Sequence, residues 1–216
     1  MYPVDMHTHT SHYSTCGHQT IEELLQAAHR RSLHAVCITE HAYRWTDEDL
    51  VEVVRRLGLE GQLTALGGEE LACYARDGTR QGDYLVFGPT HRLEGTWDVR
   101  ELIPYVHEIG GIVIGAHSMR AGYNSDRIVY ELDLDALEIH SKNHKPEEAA
   151  KALECARTRG LLPVCCSDGH RAEHVGMYFT YFAEPVASVA DLIRQIKARR
   201  VRSDCGDAIV TLAAGQ

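Results

Sequence analysis

Six histidines and three carboxylates stand where short apolar runs end along this chain: His7 and His9, His18, His41, Glu69 or Glu70, Asp83, His117, and Asp168 with His170. Imidazole nitrogen and carboxylate oxygen are ligands for borderline and hard divalent metals, and the chemistry such a set supports is metal-assisted hydrolysis. In His7-Thr8-His9, alternate residues of an extended chain share a face, so both imidazoles can grip one ion. Asp5, two residues back, is placed to orient one of them. Asp168-Gly169-His170 repeats the spacing after a near-continuous apolar run, with Gly169 permitting a sharp turn. Burying a carboxylate and an imidazole without partners costs several kcal/mol, which makes them poor structural material. Singly, each histidine reads as a satisfied strand cap. Jointly they read as a multinuclear metal site.

The elements that must carry these residues alternate along the chain. Residues 2–6 read as a strand, 20–32 as a helix opened by a Thr20/Glu23 capping box, and 35–39 as a buried strand. Residues 46–57 form the next helix, capped by Thr46, and 63–66 a strand running into Gly67-Gly68-Glu69-Glu70. Further strands are expected at 84–87, 112–116, 136–139, 162–166 and 178–182, with helices at 99–109, after Pro146 and at 189–199. Strand–loop–helix order predicts a parallel sheet with crossover helices. An open sheet gathers its site at one switch point, whereas ligands spread over many strand ends favour closure. The expected fold is α/β: a single domain over 1–216, a distorted (β/α)7 TIM-like barrel of about seven strands, with the metal site at the C-terminal ends of the strands.

The formal charge of −9 argues against stable nucleic-acid binding, which needs basic stripes. No apolar run reaches the roughly 20 residues that span a bilayer, and the N-terminus lacks the pattern of a leader. Seven cysteines are present; Cys37, Cys165 and Cys166 sit in apolar runs as small hydrophobes, and reduced thiols in a cytoplasmic enzyme are expected.

Taken in order, His7-Thr8-His9, Thr39-Glu40-His41, Gly68-Glu69-Glu70, Ala116-His117 and Ser167-Asp168-Gly169-His170 resemble the PHP (polymerase and histidinol phosphatase) family over nearly the whole chain. The resemblance implies a distorted barrel with two or three divalent ions (Zn, Mn or Fe) that hydrolyses phosphoesters. It implies His7, His9, His41, His117, Asp168 and His170 as metal ligands, and Glu70 rather than Glu69 as the bridging carboxylate. The chain departs from the family at Asp83, where many members carry histidine, and in a longer segment from Ser11 to His18. Cys16-Gly17-His18 looks like the Cys-x-His of the histidinol phosphatase branch, which makes His18 the expected third-site ligand with His12 and Cys16 as rivals. A Cys16 thiolate would favour zinc. Asn143 matches a family asparagine beside His140 and His144.

On this reading Glu70, His117 and Asp168 carry catalysis, and Arg120 and Arg171 orient phosphate. The partner is a small phosphorylated substrate, with no membrane; oligomeric state has no signature in the sequence. Histidinol phosphate is one specific alternative, a non-catalytic metal-binding PHP module another, and C–N hydrolysis in the manner of amidohydrolases a third. Activity should fall below about pH 6, since imidazoles must be neutral to bind metal. His29, His34, His91, His107 and His174 are expected at the surface, and Tyr84 and Tyr178 in packing. Specificity is expected in the loops at 42–47, 76–82 and 119–125.

Overall fold

The computed structural model describes residues 1–41, 43–122 and 125–205. In chain order the elements are β1 (Tyr2–Asp5), α1 (Ile21–Arg30), β2 (Ala35–Glu40), α2 (Asp47–Arg56), β3 (Thr64–Tyr74), β4 (Arg80–Phe87), α3 (Val99–Glu108) and β5 (Ile112–Ala116). There follow α4 (Ser125–Ile128), β6 (Ala136–His140), α5 (Pro146–Arg159), β7 (Leu162–Cys165), β8 (Phe179–Phe182), α6 (Val189–Lys197) and β9 (Val201–Asp204). The Thr20/Glu23 capping box opens α1 as the sequence indicates, and the Thr46 side chain accepts from Asp49 N at the start of α2.

Among the described residues all strands join one nine-stranded sheet in the order β7-β6-β5-β4-β3-β2-β1-β8-β9, curled into a nearly closed barrel. The strand count exceeds the expected seven, and the sheet is mixed rather than parallel. β4 runs antiparallel to both β3 and β5, and β8 runs antiparallel to β1 and β9. The reversal of β4 matters for the site. Asp83 lies near the start of its strand, yet it pairs with Ala116 at the end of β5 and so reaches the same mouth. β3 is also longer than expected, continuing through Gly67 and Gly68 to Tyr74, so Glu69 and Glu70 lie within a strand and face opposite ways.

Alternation sorts the core. Val4, Cys37, Leu66, Leu85, Phe87, Ile112, Ile114, Ala136, Val164 and Phe182 share one cluster inside the barrel, which Leu192 and Ile196 of α6 join. The opposite strand faces pack under α1 and α2 in one cluster and under α3 and α5 in another. Gly68 is required where β3 passes Phe87, because a Cβ there would lie 2.5 Å from the ring.

The barrel closes between β7 and β8–β9 through side chains. Thr180 Oγ1 donates to Cys165 O and accepts from Cys165 N, Ser203 Oγ donates to Pro163 O, and Cys165 is joined to Cys205 by a disulfide. The expectation of reduced thiols is corrected here: Cys165 faces outward toward the arriving strand, within reach of Cys205, whereas Cys37 and Cys166 are free and buried.

Candidate metal centre

Two backbone straps build the mouth. His9 N donates to Gly169 O and Gly169 N to His7 O, so the His7-Thr8-His9 and Asp168-Gly169-His170 segments run side by side beyond the ends of β1 and β7. Gln19 Nε2 donates to both His9 O and Gly169 O and pins the pair. Asp5 does not orient an imidazole as expected. Its carboxylate accepts the backbone N–H groups of His7, Ser167 and Gly176, bending the chain out of β1. Burial lifts its pKa to about 6 against those hydrogen bonds. His117 and Asp168 leave their strands with φ of 31° and 49°, a left-handed conformation that non-glycine residues adopt at a cost. Gly169 is not in that region.

Glu70 is the hub. Its Oε2 lies 3.2 Å from His7 Nε2, 3.1 Å from His9 Nε2 and 3.5 Å from His41 Nδ1, while Oε1 lies 2.9 Å from His117 Nε2. The two Nε2 atoms of His7 and His9 are 3.1 Å apart. Asp168 Oδ1 faces His7, His9 and His170 at 3.4, 3.6 and 3.5 Å. Asp83 stands with Glu70 and His117, their ligand atoms all within 4.8 Å of one another. This donor set fits divalent ions: nitrogens and oxygens this close need either a shared cation or a proton on the rings. Glu69, by contrast, faces outward and accepts from Leu93 N.

The electrostatics follow from the geometry. Burial disfavours charge on His7 and His9, but Glu70 and Asp168 outweigh it, raising His7 well above its ordinary value and His9 to about 9. The same imidazoles, against burial, hold Glu70 and Asp168 well below the usual carboxylate range. Ion binding therefore displaces protons, and affinity rises with pH through neutrality, a range higher than the ordinary imidazole pKa suggests.

Other residues were not legible as part of the site. Glu138 on β6 faces the barrel interior, buried, with Oε2 2.8 Å from His7 Nδ1, so that Nε2 of His7 is the nitrogen turned to the centre. A lone acid in the apolar run Ala136–Ile139 was the available signal. Glu40 is also buried. It accepts from Thr10 N and Oγ1, Ser14 Oγ and Trp45 Nε1, and so holds the 10–16 segment over the barrel. Asn143 Nδ2 donates to Asp168 Oδ2 at 2.6 Å.

A cavity of 360 Å³ opens above these groups. His18, Arg120 and Asn143 line it, as do Arg80 and His174, of which the sequence singled out neither for the site. His18 is exposed on the rim, its backbone N–H donating to His170 O. Cys16 sits closer in, its sulfur and nitrogens of His9 and His41 within 4.8 Å of one another. Burial, then Glu70, pushes its thiol up to about 11. His12 and Arg171 are exposed and do not line the cavity. His140 is buried against Tyr178, ring centroids 4.5 Å apart, and Tyr84 is buried with its hydroxyl on Gln81 O. His34 accepts from Val186 N and His107 pairs with Asp135. Ala42 of the first specificity loop and Tyr123 and Asn124 of the third lie outside the described residues.

The PHP-associated family model matches residues 146–201, from the start of α5 to the start of β9. The structure of PsfC from Pseudomonas syringae PB-5123 superposes with a TM-score of 0.70 at 18% identity, covering 99% of this chain and 96% of that one. A protein of Bifidobacterium adolescentis described as a metal-dependent phosphoesterase shares this chain's fold with a TM-score of 0.58 at 18% identity, covering 92% and 96% of the two chains. An amidohydrolase of Chromobacterium violaceum, solved with bound sulfate, gives 0.64 at 14% identity over 95% and 99%. At these identities the likeness of this chain to each structure is one of fold. No curated protein matches it. Among the described residues no helix is long and apolar enough to cross a membrane.

Proposed function

We propose that this chain is a PHP-family, metal-dependent phosphoesterase acting on a small phosphorylated metabolite or nucleotide, as one domain over residues 1–216. One observation carries the reading: Glu70 shares its two oxygens between the His7–His9–His41 side and the His117 side, the arrangement a bridging carboxylate needs. His7, His9, Glu70 and Asp168 would hold an inner ion, and Glu70, Asp83 and His117 a second. His41 and His170, with Cys16 or His18, would hold a third. Bound Zn, Mn or Fe would supply an acidified water and Lewis acidity toward phosphoryl oxygens.

The chain's own groups do the rest. Asp168, oriented by Asn143, accepts the proton of the attacking water. His117 and Glu70 fix the geometry of the second position. Arg120 at the cavity wall orients phosphate oxygens, a role that Arg171, exposed and outside the lining, does not share. Phosphate suits a mouth walled by Arg80 and Arg120 better than the neutral carbonyl of an amide does. A panel of phosphomonoesters and phosphodiesters, with p-nitrophenyl phosphate, assayed with Mn- or Zn-loaded protein should show turnover that chelation abolishes. Stoichiometric metal with no phosphoester turnover, alongside amide hydrolysis, would overturn the reading.

Proximity favours Cys16 over His18 as the third-position partner of His41. With cobalt(II) bound, a sulfur-to-cobalt charge-transfer band is expected in the near ultraviolet. It should vanish in Cys16→Ser and persist in His18→Ala; loss of the band only in the His18 variant would reverse the assignment.

A further inference from the structure

Asp83 already has a claimant. Arg80 Nη2 lies 2.7 Å from both of its carboxylate oxygens, and Arg80 belongs to the wall of the metal cavity. Residues three apart on a regular strand face opposite ways, so this contact has to be built. A bulge builds it. The β3–β4 register moves from Cys73↔Gly82 to Tyr74↔Arg80, leaving Gln81 outside the pairing, and Gly82 takes a φ of 116° that only glycine adopts freely. Gln81 is fastened by the start of α3: its Nε2 donates to Asp98 Oδ1, its Oε1 accepts from Val99 N, and its carbonyl accepts from Tyr84. Arg80 is thus held on the carboxylate by the fold.

We propose that Arg80 is a built-in competitor for the metal position formed by Glu70, Asp83 and His117, which makes that position the weakest of the centre, the last to fill and the first to empty. The inference rests on the metal-centre reading above. An ion taking Asp83 must displace a charge-assisted, two-oxygen contact. The displaced guanidinium then stays beside a divalent cation in a buried site, where repulsion is poorly screened. The inner position differs in kind. There the second oxygen of Asp168 is held by a neutral amide, that of Asn143, and Oδ1 faces the imidazoles. A cation on one carboxylate and an amide on the other separate the two positions in affinity. At limiting metal the protein would hold its inner ion while the second position stays closed by Arg80, so that the supply of metal sets the active fraction.

The test is a manganese titration of chelator-stripped full-length protein, followed by calorimetry and by the electron paramagnetic resonance signal of free Mn(II). The wild type should bind in steps of unequal affinity. Arg80→Ala should tighten the weakest step by about tenfold, the scale of one lost charge-assisted hydrogen bond, and leave the tightest within about twofold. Arg80→Gln preserves much of the side chain's length and should act in the same direction, which guards against a bulge that collapses on truncation. The sign is diagnostic, because a merely structural arginine would loosen the site when removed. A weakest step that is unchanged or weaker in both variants overturns the proposal, as does a wild type whose steps are equal. A wild type that binds no manganese overturns the metal-centre reading itself.

Discussion

Glu70→Gln should fold normally yet lose about a thousandfold in kcat, near 4 kcal/mol of transition-state stabilisation. The change keeps the shape of the side chain and removes its charge. Glutamine offers one acceptor oxygen where Glu70 presents two, toward His7, His9 and His41 on one side and His117 on the other. One oxygen would not serve both of the positions that Glu70 would join. Metal analysis of the purified variant should show at least one fewer equivalent per chain than the wild type. Turnover within about tenfold of wild type, with full metal content, would remove Glu70 from the hub of the mechanism. Glu69→Gln is the matched control: Glu69 faces outward to Leu93 N, and its loss should alter stability before it alters kcat.

The second large effect concerns two glycines whose importance the sequence ranks the wrong way round. Gly169, between Asp168 and His170, invites the reading that a sharp turn demands it. Its backbone is not in the left-handed region, and a Cβ would meet Thr8 and Val175 at ordinary distances of 3.5 Å. Gly17 looks like part of a loop, yet a Cβ there would lie 2.2 Å from Thr10 O and 2.4 Å from Thr10 C, both backbone atoms that cannot swing aside. Gly17→Ala should therefore cost about 3 kcal/mol, a fall in Tm on the order of 10 °C, and weaken the Cys16 and His41 side of the mouth. Gly169→Ala should stay within about 1 kcal/mol. Thermal melts of the two variants decide the order. Equal melting temperatures would mean that the close approach of residue 17 to Thr10 is not structurally important.

What was legible follows from what local pattern encodes. The Thr20/Glu23 capping box is a local rule and is met, whereas the choice of Glu70 over Glu69 came from the family resemblance and not from alternation, because the strand was expected to end at Leu66. What was not legible depends on pairing across the sheet. The reversal of β4 brings Asp83 to the mouth from the start of its strand; Asp77-Gly78, in a connection too short for a crossover, was the local hairpin signal that the sequence reading passed over. Arg80 was passed over because a regular strand would send it away from Asp83, and the bulge at Gln81 appears only with the register. Glu138 was passed over because a single buried acid acquires meaning only when His7, far away in sequence, is found at 2.8 Å.

The side-chain seam of the barrel bears on how the molecule behaves in company. A strand at the end of a sheet normally presents a row of free N–H and C=O groups on which another chain can grow. Along the outer side of β7, Pro163 has no N–H to offer and its carbonyl is taken by Ser203, while both backbone groups of Cys165 are taken by Thr180. The disulfide to Cys205 fastens the next turn of chain over the same strand. What closes the barrel also cloaks β7 against strand addition by a second molecule. Protection from self-polymerisation is thus built into the fold at the strand that leads to Asp168.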